Sequence, residues 1–153
     1  MSPEKYSASM GVGFLGASVA CSCQRMMAKR ERGKLVKILQ TYVRIYVTEL
    51  DPAIAFYESL TGQQTDLRFP YPEMELELAS VGPFLILAGS HETLASFRET
   101  LATFRVDSVE DFREHLTKNG ASIIRDIKRV PTGSNMTVQH PDGTRFEYVQ
   151  HHI

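Results

Sequence analysis

Alternating apolar and polar side chains mark the first organised segment of the chain. From Tyr42 to Val47 every second residue is aliphatic, and this two-residue period predicts a β-strand covered on one face. A helical spacing follows: Asp51 and Pro52 suit the start of a helix, and Gly62 suits its end. The apolar stripe of this helix consists of Ile54, Phe56, Tyr57 and Leu60.

Three more extended stretches complete the first half of the chain. Thr65 to Phe69 precedes a proline-rich break, Glu73 to Leu78 alternates strictly, and Phe84 to Leu87 is continuously apolar. Each of these patterns is typical of a strand. The segment from His91 to Arg98 then predicts a short helix that bridges to the second half.

The second half repeats the same order of elements. Leu101 to Val106 predicts a strand, Ser108 a helix cap, and Asn119-Gly120 the end of that helix. Three strands follow, at 122–130, 135–139 and 144–150. The order is therefore strand, helix and three strands, twice over, with a period of roughly 55–60 residues. This predicts an α+β fold; a ferredoxin-like fold is the alternative, but it needs four strands and the pattern holds eight.

Composition narrows the function classes. The 153 residues carry 17 basic and 18 acidic side chains, so charge gives no argument for nucleic acid or an anionic membrane as a partner. There is no apolar run of about 18 residues, which predicts no membrane span. The cysteines, Cys21 and Cys23, both lie near the N-terminus, a usage that suits a reducing compartment. We therefore expect a cytoplasmic protein.

The first part of the chain differs from the rest. Residues 1–38 combine small residues with a basic run and predict a disordered or extended N-terminal tail. The weakly apolar stretch Gly11 to Cys21 raises a secretory signal as the alternative. Glu4 and Lys5 argue against it, because the preceding region has no net positive charge.

Three segments carry a family resemblance. Val47 to Gly62 is similar to the strand-to-helix opening of a glyoxalase module, and Arg105 to Phe112 is similar to the opening of a second one. His140 to Val149, with its Pro-Asp-Gly turn, resembles the closing segment. The chain thus resembles the vicinal oxygen chelate superfamily of glyoxalases, bleomycin resistance proteins and extradiol dioxygenases. The resemblance implies a domain at 39–153, with βαβββ modules at about 41–90 and 100–150 whose curled mixed sheets surround a concave pocket.

In metal-using members of that superfamily, four strand positions supply the ligands. The resemblance places these positions at Tyr42, Ile86, Leu101 and Glu147. Only Glu147 carries a good ligand for a divalent ion, and Glu99 is the one nearby substitute. We therefore expect no metal ion and no other cofactor. The five histidines are interpreted as surface or turn residues, with His140 nearest to the pocket rim; they are His91, His115, His140, His151 and His152.

Strand alternation assigns a second set of residues to the pocket face. These candidate ligand-binding residues are Tyr42, Arg44, Tyr46, Glu75, Glu77, Phe84, Ile86, Thr103, Arg105, Arg145 and Glu147. Their mixture of rings and charges predicts a cleft for a small polar or flat ligand. A solvated, ion-paired sheet face without a ligand is the alternative. The hairpin from Val130 to Thr137 is interpreted as a tight turn at Gly133; the alternative is a loop over the pocket in which Asn135 contacts the ligand.

These observations predict a metal-independent, small-molecule-binding protein, and the resemblance implies a homodimer. The alternative is a lyase or dioxygenase-like enzyme of the same superfamily acting on a small polar substrate. Because the superfamily includes both binding proteins and enzymes, the sequence leaves open whether catalysis occurs. The catalytic candidate is Glu147, as a general base beside Arg145 or Arg105.

Overall fold

The structure, a computed structural model, describes residues 34–152. The predictions for the N-terminal tail, from residue 1 to residue 33, lie outside these described residues, as do both cysteines. Among the described residues no helix is long and apolar enough to cross a membrane.

Two βαβββ modules follow one another along the chain. Module one contains β1 (Ile38–Val47), α1 (Leu50–Thr61), β2 (Thr65–Tyr71), a short 3-10 helix (Pro72–Met74), β3 (Leu76–Val81) and β4 (Phe84–Ala88). The connecting helix is α2 (His91–Ala95). Module two contains β5 (Thr100–Val106), α3 (Val109–Lys118), β6 (Ser122–Val130), β7 (Gly133–Gln139) and β8 (Arg145–His151).

All eight strands form one mixed sheet in the order β2-β3-β4-β1-β5-β8-β7-β6. The two modules meet at the antiparallel pair β1 and β5, where Tyr42 lies opposite Thr103. Within each module the first and last strands are parallel, β1 with β4 and β5 with β8. The sheet curls into a half-barrel, so the predicted α+β fold class is confirmed.

Helices α1 and α3 cover the outer face of the sheet. Helix α1 packs on β3 and β4 through a buried cluster of Leu50, Ala53, Ala79, Val81, Ile86 and Ala88. Helix α3 packs on module two through Val106, Val109, Phe112, Met136, Val138 and Tyr148. A third buried cluster, Tyr42, Leu76, Leu78, Leu85, Leu87 and Leu94, belongs to the inner face. Burial of apolar area on both faces therefore stabilises the half-barrel.

Helix boundaries are mostly those that the sequence predicts. Ser108 caps α3, its Oγ accepting a hydrogen bond from the Asp111 amide at 3.2 Å, and Gly62 ends α1 in the left-handed region. Asp51, which suits a helix cap by its residue type, does not cap α1, because Glu49 holds the cap position. Asp51 lies in the first turn and pairs with Arg68 at 2.7 Å.

The predicted strand from Glu73 to Leu78 begins three residues late. Pro72 starts the 3-10 helix, and Glu75 takes a left-handed conformation with φ of 53°. Proline has no backbone N–H to donate to a neighbouring strand, but it fits the first position of a helical turn. The chain therefore makes this turn at Pro72 before the strand begins. Strand β3 consequently begins at Leu76.

Candidate functional site

An apolar chamber lies on the inner face of the half-barrel. It holds about 60 Å³ of space in which the centre of a water molecule fits, enough for several waters or one small apolar group. Its walls are mainly aliphatic and aromatic, with Leu67, Phe69, Leu76, Leu78, Leu85 and Leu87 from module one. Module two contributes Thr103, Val130, Thr132, Asn135, Glu147, Val149 and His151.

A wider polar vestibule adjoins the chamber. It holds about 300 Å³ of the same kind of space. Five residues line both spaces: Arg44, Tyr71, Phe97, Asn135 and Glu147. These five form the boundary between chamber and vestibule. A ligand that occupied both spaces would therefore place an apolar part inside and a polar part at this boundary.

A network of hydrogen bonds fixes Glu147 at the boundary. Its Oε1 accepts from Asn135 Nδ2 at 3.0 Å and, more weakly, from Arg125 Nη2 at 3.4 Å. Its Oε2 accepts from Thr103 Oγ1 at 3.2 Å. Arg125 Nη1 also donates to Asn135 Oδ1 at 3.0 Å. The carboxylate is thus held in one orientation by residues from three other strands.

Carboxylates neutralise three of the four cations that line the vestibule. Arg125 faces Glu147, Lys128 pairs with Glu73 at 3.2 Å, and Arg145 pairs with Glu99. Arg44, the fourth cation, is only 8% exposed. Among residues 34–152 its guanidinium has no ion pair and no hydrogen bond, and its Nε is buried without a partner.

The Tyr46 ring lies against the Arg44 guanidinium. Its guanidinium carbon lies 5.7 Å from the centre of the Tyr46 ring, within the range of a cation–π interaction. The Tyr46 hydroxyl lies 2.6 Å from the Phe97 carbonyl oxygen, which fixes the ring. Arg98 contacts the same ring at 5.2 Å but is exposed and lines neither space.

Two titratable side chains, Tyr42 and His151, line the chamber away from the boundary. Burial raises the pKa of the Tyr42 phenol, and burial lowers the pKa of the His151 imidazole. Tyr42 donates a hydrogen bond to Gln40 Oε1 at 3.0 Å. Among the lining residues, charged side chains are therefore concentrated at the boundary and in the vestibule, while Arg105 lies near Tyr42 and His151 without lining either space.

The structure brings five of the eleven predicted site residues to the cavity. Tyr42, Arg44, Thr103 and Glu147 line the chamber, and Arg145 lines the vestibule. Six others line neither space: Tyr46, Glu75, Glu77, Phe84, Ile86 and Arg105. Of these six, Tyr46 supports Arg44 from behind, and Arg105 has a buried, unpartnered Nε beside the chamber lining of β5.

The prediction reversed the two faces of β3 and β4. Ile86 is fully buried against α1 and Phe84 contacts Tyr57 of that helix, with ring centres 4.6 Å apart. Glu77 binds Arg68 at 2.9 Å, and Glu75 lies in a separate surface groove. The prediction assigns the polar face to the pocket, whereas leucines form the chamber walls on these two strands. Strands buried on both faces read as nearly continuous apolar runs, so their alternation does not mark the outside.

Several cavity residues had a different interpretation at the sequence level. The hairpin turns before Gly133, and Asn135 lies in β7, where it lines the cavity and donates a hydrogen bond to Glu147. His151, interpreted as a surface histidine, lines the chamber because β8 extends to it. His140 contacts Tyr148 at 2.7 Å and lies outside both spaces. In β8, Phe146 and Tyr148 face α3, so the residues between and after them face the opposite side. Continuing this alternation from Glu147 and Val149 places His151 on the chamber side.

The residues at the superfamily's metal-ligand positions do not fit a divalent cation. Ile86 faces outward and its neighbour Leu85 lines the chamber; Leu101 is 62% exposed, and Thr103 occupies the inward position on β5. Thr103 stands in register with Tyr42 and Glu147. A neutral phenol, a hydroxyl and an alkyl group are poor ligands for such ions. The described residues contain no group of three or more His, Cys, Asp or Glu side chains that could hold a metal.

Comparison with known proteins identifies the family. The model of the glyoxalase/bleomycin resistance protein/dioxygenase superfamily matches residues 39–148, so the chain belongs to that superfamily. No curated protein matches the sequence significantly. The structure is similar to that of an uncharacterized protein from Methanosarcina mazei, with 50% identity and a TM-score of 0.72, over 76% of this chain and 94% of that one.

More distant structures share the fold alone. Methylmalonyl-CoA epimerase from Mycobacterium tuberculosis is 18% identical with a TM-score of 0.61, over 76% of this chain and 90% of the other. A hypothetical protein from Bacillus halodurans C-125 is 18% identical with a TM-score of 0.62, over 78% and 97%. These similarities support the architecture and leave the chemistry to the site itself.

Proposed function

We propose that the protein binds a small organic molecule across the chamber and the vestibule, without a metal ion. The observation that carries this proposal is the continuity of an apolar chamber with a polar boundary. An apolar concave site with a few fixed polar groups is the usual form of a small-molecule site. The poor donor set at the superfamily's ligand positions supports the metal-independent part of the proposal.

The lining supports binding within one chain. Strands of both modules of the same chain form the chamber walls described above. We nevertheless propose a homodimer, as the resemblance implies, and a cytoplasmic location, as the cysteine usage suggests. A monomeric mass in light scattering would contradict the homodimer.

A second candidate function is catalysis at the same site. The fixed position of Glu147 at the boundary favours it, as does the structural similarity to methylmalonyl-CoA epimerase. The surroundings of Glu147 differ from those that the sequence predicts: Arg145 pairs with Glu99, and Arg105 makes no ion pair with Glu147 among the described residues. Because hydrogen-bond donors already occupy both carboxylate oxygens, Glu147 suits a fixed acceptor better than a general base.

Metal analysis and thermal unfolding test this proposal together. Protein purified without a chelator should contain no stoichiometric Ni, Zn, Fe or Mn. After EDTA treatment, at least one aromatic or aliphatic compound from a small panel should still raise the unfolding temperature above that of the protein alone. A stoichiometric metal, or stabilisation that EDTA abolishes, would contradict metal-independent binding. If the protein converts a panel compound and Glu147→Gln abolishes that conversion, the second candidate function, catalysis at this site, would be favoured instead.

A further inference from the structure

The charge balance at the boundary points to the chemistry of the ligand. Three vestibule cations have carboxylate partners, and Arg44 has none among the described residues. The lining therefore has one positive charge left without a counter-charge, and it is localised on a single guanidinium. This surplus equals the charge of one monoanion.

Burial makes an uncompensated guanidinium unfavourable. Arg44 is 8% exposed, and its Nε has neither water access nor a hydrogen-bond partner. Moving a charge out of water costs free energy unless an opposite charge or hydrogen bonds replace the lost solvation. The Tyr46 ring replaces only part of it. A bound anion would supply the rest.

The position of Arg44 also fixes which part of a ligand is charged. Arg44 lines both spaces, so an anion bound to it would lie at the boundary. The remainder of the ligand would then extend into a chamber walled by leucines and closed by neutral Tyr42. A planar carboxylate matches the fork of a guanidinium, and its single charge matches the surplus.

We propose that the ligand is a small organic monocarboxylate, with its carboxylate on Arg44 and a short aliphatic or aryl body in the chamber. This inference rests on the proposed function and specifies its ligand class. A phosphate monoester is disfavoured because Arg44 is the one cation of the described lining without a carboxylate partner, so a second negative charge would have no counter-charge at the boundary.

Matched pairs of charged and neutral probes test the inference. Phenylacetate and hexanoate would be compared with phenylacetamide and hexanamide, which keep the apolar body and lose the charge. Binding would be followed by NMR of methyl-labelled, EDTA-treated protein at millimolar probe concentrations. We expect the carboxylates to bind roughly tenfold to a hundredfold more tightly than the amides, as charge-assisted hydrogen bonds do.

Two arginines that share one ring provide the matched variants. Arg44→Gln should weaken carboxylate binding by the same roughly tenfold to a hundredfold factor and leave amide binding almost unchanged. Arg98→Gln removes a cation from the exposed side of the same Tyr46 ring and should leave both unchanged. Arg44→Lys keeps the charge and should retain part of the carboxylate preference. If Arg44→Gln fails to fold, Arg44→Lys and the comparison of probes on the unmodified protein decide the question.

The outcomes separate this inference from the proposed function. If amides and carboxylates perturb the chamber methyl groups with equal affinity, the carboxylate inference is wrong and the small-molecule site remains. If Arg44→Gln and Arg98→Gln weaken carboxylate binding equally, the preference for carboxylates comes from general charge attraction, and the inference of a specific contact with Arg44 is wrong. If no probe perturbs any chamber methyl group, both the inference and the proposed function fail.

Discussion

Leu85 and Ile86 are neighbours on β4 that face opposite sides of the sheet. Ile86 is fully buried against α1, whereas Leu85 is 8% exposed and lines the chamber. Truncation of each side chain to alanine removes the same number of carbon atoms. The pair therefore separates the loss of apolar burial from the cost of creating a new cavity.

The expected magnitudes follow from that difference. Removal of three buried carbons costs about 2.4 kcal/mol, at about 0.8 kcal/mol per methylene group. Ile86→Ala also leaves a cavity in a packed cluster, which brings its total to about 3–5 kcal/mol. Leu85→Ala only enlarges an existing space, so we expect a loss close to the burial contribution alone, about 2.4 kcal/mol or less.

Urea unfolding followed by circular dichroism measures both free energies of unfolding. The Leu85→Ala variant should also bind longer hydrophobic ligands, because its chamber is wider. Equal destabilisation by the two substitutions, or a larger effect of Leu85→Ala, would refute the assignment of faces. If a variant changes the slope of the free energy of unfolding against urea concentration, its unfolded state has changed, and the two variants should then be compared by thermal unfolding.

Three further predictions follow from single contacts. Gly133→Ala should destabilise the protein by about 3 kcal/mol or more, measured by urea unfolding, because an added Cβ would lie 1.9 Å from the Gln150 carbonyl oxygen. Burial raises the pKa of Tyr148 to about 12, so the unfolded state loses this proton first and stability should fall by about 1.4 kcal/mol per pH unit between about pH 10 and 12. Tyr148→Phe should reduce that slope by the contribution of Tyr148, measured by unfolding at several pH values, while Tyr42 and Tyr46, whose pKa values burial also raises, still contribute; an unchanged slope would contradict the assignment. Arg113 holds the pKa of Asp126 at about 2, and Arg113→Gln should return that pKa towards the ordinary aspartate range in an NMR titration; an unchanged pKa would show that the Ile127 amide is the main cause.

The sequence predicted most of the architecture because local signals agreed with the tertiary structure. Alternation placed β1 and β8, and Ser108 and Gly62 marked helix ends. The repeated order of elements predicted the two modules. On module two, Phe104 and Tyr148 pack towards α3 as alternation suggested, since that half of the sheet has one helix-covered face and one mixed face.

The candidate site was less predictable because module one has two apolar faces. On β4, the residues Leu85, Ile86 and Leu87 are all buried, so hydropathy alone could not say which of them face the chamber. The 3-10 turn at Pro72 delays the start of β3 to Leu76, which strict alternation from Glu73 could not show. The isolation of Arg44 depended on which carboxylates pair with its neighbours, and that pairing is set by tertiary structure alone.

Methyl NMR of EDTA-treated protein tests the central claim of metal-independent binding most directly. On addition of phenylacetate, the methyl signals of the chamber leucines should shift together and saturably; these are Leu76, Leu78, Leu85 and Leu87. The methyl signals of Ile86 and Val81, on the outer face, should shift much less. Chamber signals that stay fixed until a divalent metal is added, or that stay fixed throughout, would contradict it.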